Sequence, residues 1–147
     1  MEFRISRQLL EALKREAAAT ADEVCGLLLG REMEVTAVSP CRNVAADPQQ
    51  HFEIDPAALI AAHRSARTGA PAVLGHYHSH PSGSAAPSAC DAAAAAPDGA
   101  LWLILGADGC RGWQAVRDGA VQGRFDPVTL VVAPPCAHPP AQPEERD

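Results

Sequence analysis

No Cys-x-x-Cys pair occurs in this chain, and its five cysteines (Cys25, Cys41, Cys90, Cys110 and Cys136) are odd in number. A disulfide framework is therefore not expected. No apolar run approaches the roughly 20 residues of a membrane-spanning helix, and Met1-Glu2-Phe3-Arg4-Ile5 lacks the apolar core of a signal peptide. The expected location is cytoplasmic, with no membrane association, where scattered cysteines behave as small apolar residues. Basic clusters are missing as well. The net charge is −6, whereas a nucleic-acid footprint gathers lysine and arginine on one face, so no nucleic-acid partner is expected. There is no internal repeat, and the chain does not end in Gly-Gly as a ubiquitin-type carrier would.

What is present suits one small globular domain: 147 residues, of which 47% are hydrophobic. Ser6 can cap a helix over 7–19, where Leu9, Leu10, Leu13 and Ala17 recur at helical spacing. Strands read over 24–29, 34–39 and 51–54, with Asp47-Pro48 marking a loop between the last two. Pro56 opens a second helix over 57–67 that Gly69 closes, and Ala70-Pro71 leads into an apolar strand. Alanine dominates 88–96, which predicts a third helix. A continuous apolar run over 101–105 suits a central strand, and Asp118-Gly119 reads as a two-residue hairpin between strands over 112–117 and 120–125. A last strand is expected over 128–132. The domain is expected to span 1–133, and the proline-rich segment 134–147 reads as a disordered tail.

The chemistry concentrates in Gly75-His76-Tyr77-His78-Ser79-His80-Pro81, followed by Ser88 and Asp91. Residues two apart on a strand share a face, so His78 and His80 point the same way. Their separation of roughly 6.5 to 7 Å along the strand lets two imidazoles converge on one zinc ion. Ser88 and Asp91, three apart, share a helix face, which makes Asp91 the third candidate ligand. Three protein ligands leave a fourth position open, the pattern of catalytic zinc.

The spacing His-Ser-His, seven residues, Ser, two residues, Asp runs through His78, Ser79, His80, Ser88 and Asp91, and resembles the JAMM (MPN-plus) metallopeptidase family. Glu23, in Glu23-Val24-Cys25-Gly26-Leu27-Leu28-Leu29-Gly30, matches the position of that family's general acid/base. The segments His51-Phe52-Glu53-Ile54-Asp55-Pro56 and Leu101-Trp102-Leu103-Ile104-Leu105-Gly106 also resemble parts of bacterial single-domain members, so the likeness covers about residues 1–133. It implies an α/β fold, one mixed, curved sheet flanked by helices, similar in architecture to cytidine deaminases. It also implies one Zn2+ per chain held by His78, His80 and Asp91, with Glu23 as proton carrier and Ser88 donating to the oxyanion. The activity implied is hydrolysis of a peptide or isopeptide bond after the C-terminal tail of a ubiquitin-like or sulfur-carrier protein, which is the expected partner.

Each residue also has a plainer reading. Alternating histidines can be two polar residues on a strand face. Ser88-Ala89-Cys90-Asp91 can be a helix capping box, and Glu23 a solvated residue at a strand start. The conjunction at fixed spacing favours the site. His76 shares strand parity with His78 and His80 but breaks the spacing to Ser88, so it is assigned to the wall of the site or to a supporting position behind the ligands. The family usually has an apolar residue there. His51, His63 and His138 receive no role. Cys25 shares strand parity with Glu23, yet a thiol nucleophile is disfavoured beside a metal ligand set. A metal-free scaffold of the same fold would lack these ligands. A nucleobase deaminase would show His-x-Glu and Pro-Cys-x-x-Cys, which the chain does not.

Overall fold

The computed structural model describes residues 1–134, so the tail expected over 134–147 lies, but for Pro134, outside the described residues. The chain opens on β1 (Glu2–Ser6), a strand absent from the expectations above, whose Phe3 and Ile5 are buried while Glu2 and Arg4 face solvent. Ser6 caps α1 (Arg7–Ala18) as expected, its hydroxyl accepting from the Leu9 amide, and Leu10 and Leu13 turn inward. β2 (Cys25–Arg31) and β3 (Glu34–Cys41) form an antiparallel pair. Asp55 caps α2 (Pro56–Arg67), and Gly69 follows at φ 103, a left-handed conformation that glycine adopts at little cost. β4 (Ala72–Ser79), α3 (Ala89–Ala94) and β5 (Leu101–Gly106) make a parallel β–α–β unit. The hairpin of β6 (Gly109–Gly119) and β7 (Gly123–Ala133) completes the domain.

Several expected elements differ from those observed. Residues 51–54 form a loop, tied to the sheet by one antiparallel bridge between Ile54 and Asn43. The helix expected over 88–96 stops early, because Ala95 is already extended (φ −76, ψ 133) ahead of Pro97, which cannot continue a helix. The strands expected over 120–125 and 128–132 are one, β7, and Gly119 pairs with Gly123, which moves the turn to residues 120–122.

The strands run in the order β1-β3-β2-β4-β5-β6-β7, and β7 pairs in parallel with β1 to close the sheet. The expected mixed, curved sheet flanked by helices is therefore present, curled far enough to meet itself. β5 is buried along most of its length and supplies both faces. Leu101, Leu103 and Leu105 join Phe3, Ile5, Leu13, Leu28, Val35 and Tyr77 in a core under α1. Trp102 and Ile104 point the other way, into a second core with Trp113, Ala115, Phe125 and the alanines Ala85, Ala92 and Ala95 near α3. A Cβ on Gly75 would overlap the carbonyl oxygen of Leu101, so glycine permits β4 to lie this close to β5. Among the described residues no helix is long and apolar enough to cross a membrane.

Candidate metal centre

β4 carries His76 and His78 on the face turned towards Trp102. Its pairing ends at Ser79, but the His80 amide still donates to Leu105 O at 2.8 Å, so the extended course continues and His80 keeps the parity of His78. The two Nε2 atoms stand 3.1 Å apart. Asp91 meets both, with Oδ1 at 3.2 Å from His78 Nε2 and Oδ2 at 3.2 Å from His80 Nε2. The structure thus brings together the three residues singled out as ligands from one strand end and one helix start. Glu23 joins them, since it, His78 and His80 offer ligand atoms that all lie within 4.8 Å of one another.

Local structure accounts for each placement. His80 Nδ1 lies 2.8 Å from Ser84 O; donating there fixes the tautomer that leaves the Nε2 lone pair facing inward. The loop supplying Ser84 is itself held, because the Ala85 amide donates to Asp108 Oδ1 and the buried Trp113 indole donates to Ala85 O. His78 is fully buried, and the Phe52 ring stacks on it at 4.1 Å between centroids. Ser88 caps α3 in a complete capping box: Asp91 N donates to Ser88 Oγ, and Ser88 N donates to Asp91 Oδ2. The capping reading and the site reading are compatible, because Oγ accepts in the cap and its own proton stays free. Glu23 is 7% exposed, which excludes the solvated reading. It precedes β2, yet its backbone is bonded on both sides: Glu23 N donates to Pro48 O, and Val24 N donates to Ser79 Oγ.

The electrostatics follow from burial and proximity. Burial pushes the Glu23 carboxyl up to about 6, although His80 opposes it. Burial alone would also raise Asp91, but the adjoining His78 and His80 rings and the Ser88 amide hold it well below the usual carboxylate range. Burial lowers His78 and, together with the neighbouring His78 ring, brings His76 down to about 3. His80 moves the other way: burial lowers it, but Asp91 and the Ser84 carbonyl outweigh that and raise it. His78 and Asp91 are thus held in the protonation states that metal ligation requires, and a bound cation would displace the proton that His80 retains.

The donor set fits a zinc ion. Zn–N distances of about 2.0 to 2.1 Å in a tetrahedron imply ligand–ligand edges of about 3.3 Å, close to the 3.1 and 3.2 Å found here. The electron-rich atoms face one another without enough protons to satisfy all of them, a concentration of negative potential that a cation would neutralise.

A cavity of about 300 Å³ opens beside these atoms, and its wall is formed by Phe52, His76 and Trp102. His76 thus occupies the wall, its ring 4.3 Å from that of Trp102. His51, given no role from the sequence, lines the same cavity with Nδ1 3.3 Å from Cys90 Sγ. Cys25 pairs with His78 across β2 and β4, but its thiol is buried and pushed up to about 12 by that burial, so it is inert as a nucleophile. The sequence marked the segments carrying His51, Phe52 and Trp102 only through the family resemblance and gave these residues no role, because the three meet only once the chain has folded.

Three comparisons bear on this geometry. Haloferax volcanii desampylase is 38% identical to the chain over 99 residues, 65% of this chain and 71% of the relative. A Thermus thermophilus protein named "Probable TtuB-protein conjugate cleaving protease" is 36% identical over 112 residues, 73% of this chain and 72% of the relative. The solution structure of a Desulfitobacterium hafniense protein superposes with a TM-score of 0.78 at 27% identity, covering 94% of this chain and 97% of that one. Fold and relatives together define a JAMM-type hydrolase. The chain belongs to the family of prokaryotic homologs of the JAB domain, whose model matches residues 6–117.

Proposed function

We propose that the protein is a zinc metallopeptidase that hydrolyses the peptide or isopeptide bond following the C-terminal tail of a ubiquitin-like protein, a sulfur carrier being the favoured class. The observation carrying this reading is the convergence of His78, His80 and Asp91, with the buried Glu23 beside them. The relatives support the substrate class through what their names say they cleave: desampylase, and a protease of TtuB-protein conjugates.

His78, His80 and Asp91 would hold one zinc ion. When bound, zinc supplies Lewis acidity, polarising the scissile carbonyl and making water acidic near neutral pH. Glu23 takes a proton from the attacking water and returns it to the leaving amine, and a carboxyl raised towards neutrality by burial is suited to both transfers. The Ser88 hydroxyl, whose oxygen is engaged in the cap, directs its proton to the developing oxyanion. The cavity bordered by Phe52, His76 and Trp102 excludes water on one side and receives substrate residues next to the bond.

Elemental analysis of protein purified without chelator, beside His78→Ala and Asp91→Ala, tests the proposal. One zinc per chain, lost in both variants along with cleavage of a ubiquitin-like conjugate, is the expected result. No metal in folded wild type, and none taken up from added zinc, would sink the peptidase reading in favour of a scaffold.

A further inference from the structure

Asn43 follows β3, and its side chain engages both its donor group and its acceptor. Nδ2 donates to Glu23 O at 2.9 Å, to His51 O at 2.9 Å and, more weakly, to Pro48 O at 3.3 Å. Oδ1 accepts from Ala45 N at 3.0 Å and from Glu53 N at 3.1 Å. Backbone bonds join the same segments: Glu23 N to Pro48 O at 2.7 Å and Val44 N to Glu53 O at 2.9 Å. One side chain therefore gathers the peptide of Glu23 and the loop that carries His51 and Phe52.

The regular sheet ladders hold neither directly, although Val24, the residue after Glu23, is bonded to Ser79 of β4. Glu23 lies before the β2 ladder begins, and the loop between β3 and α2 has a single bridge, Asn43 to Ile54. We propose that Asn43 is a positioning residue: it clamps the Glu23 backbone to the 48–53 loop, fixing at once the carboxylate beside His80 and the Phe52 ring stacked on His78. This rests on the reading of Glu23 as proton carrier and adds what holds it in register with the ligands. A misplacement of about 1 Å in a reacting group can cost on the order of 100-fold in rate, so the clamp bears directly on turnover. It forms no hydrogen bond with His78, His80 or Asp91, and metal binding should survive its loss.

Asn43→Asp separates these effects, because it keeps the shape and the acceptor and removes the Nδ2–H donors. Asn43→Ala serves as a second variant. Three measurements decide: zinc content, amide hydrogen exchange followed by NMR at Glu23, Val44 and Glu53, and steady-state cleavage of a ubiquitin-like conjugate. The expected result is full zinc content, exchange at least about tenfold faster at Glu23 and Val44 in both variants and at Glu53 in Asn43→Ala, and kcat lowered roughly 10- to 100-fold with KM little changed. Unchanged exchange and kcat in Asn43→Asp would overturn the clamp. So would a kcat that falls only in step with lost zinc, since Asn43 would then be a general structural residue. Should wild type cleave no conjugate, the peptidase reading fails separately, and faster Glu23 exchange at full zinc content still upholds the clamp.

Discussion

The two faces of the β4–β5 pair are built from alternate residues of the same strands, yet they are organised differently. Under α1 the core is mainly aliphatic, and its one polar group, the Tyr77 hydroxyl, donates to Glu16 Oε1 at 2.7 Å. The opposite face packs aromatic rings and alanines around His76 and His78. Among the described residues the two buried side-chain nitrogens without a hydrogen-bond partner, Nδ1 of His76 and Nδ1 of His78, both belong to that face. A buried polar group left unpaired costs about 1 to 3 kcal/mol. One face therefore stabilises the fold, and the other tolerates unpaired polarity beside the candidate site.

Substitutions on either side can sharpen or break that division. The largest effect is expected from Glu23→Gln, which should lower kcat about 100- to 10,000-fold while leaving zinc content and the melting temperature unchanged. Glu23 must be ionised to accept a proton, so wild-type kcat should fall as pH drops through about 6. An acid limb that persists unaltered in Glu23→Gln would assign it to another group. On the α1 face, Leu13→Ala removes a side chain that is 1% exposed and should cost about 2 to 5 kcal/mol in denaturant unfolding, with turnover per folded molecule preserved. The smallest change is Tyr77→Phe, which deletes one hydrogen bond and should cost about 1 kcal/mol. A drop in kcat beyond tenfold in Tyr77→Phe would show that the two faces are coupled.

The convergence of His78, His80 and Asp91 was legible because the two histidines sit on one strand course and Asp91 on one helix turn, so linear spacing carries the geometry. α1, α2 and the central strands were legible for the same local reason. Pro127 disguised β7, since proline is normally kept from paired positions; it is tolerated because β1 reaches only to Thr129, leaving Pro127 on a locally open edge. β1 was not legible because Phe3 and Ile5 are too short an alternation to mark a strand directly before the Ser6 helix cap. Asn43 and Phe52 could not be read in advance, because their roles depend on which backbone they meet after the chain has folded.

The pairing of β1 with β7, Glu2 opposite Thr129 through Ser6 opposite Ala133, has a consequence for biosynthesis. Every residue of the candidate site leaves the ribosome before the strand that closes the sheet. A nascent chain can therefore display its histidines while its first strand, paired with β3 on one side, still waits for its second neighbour. The domain should acquire protease resistance in a single late step, and a break in the turn at 120–122 would undo it from both ends at once.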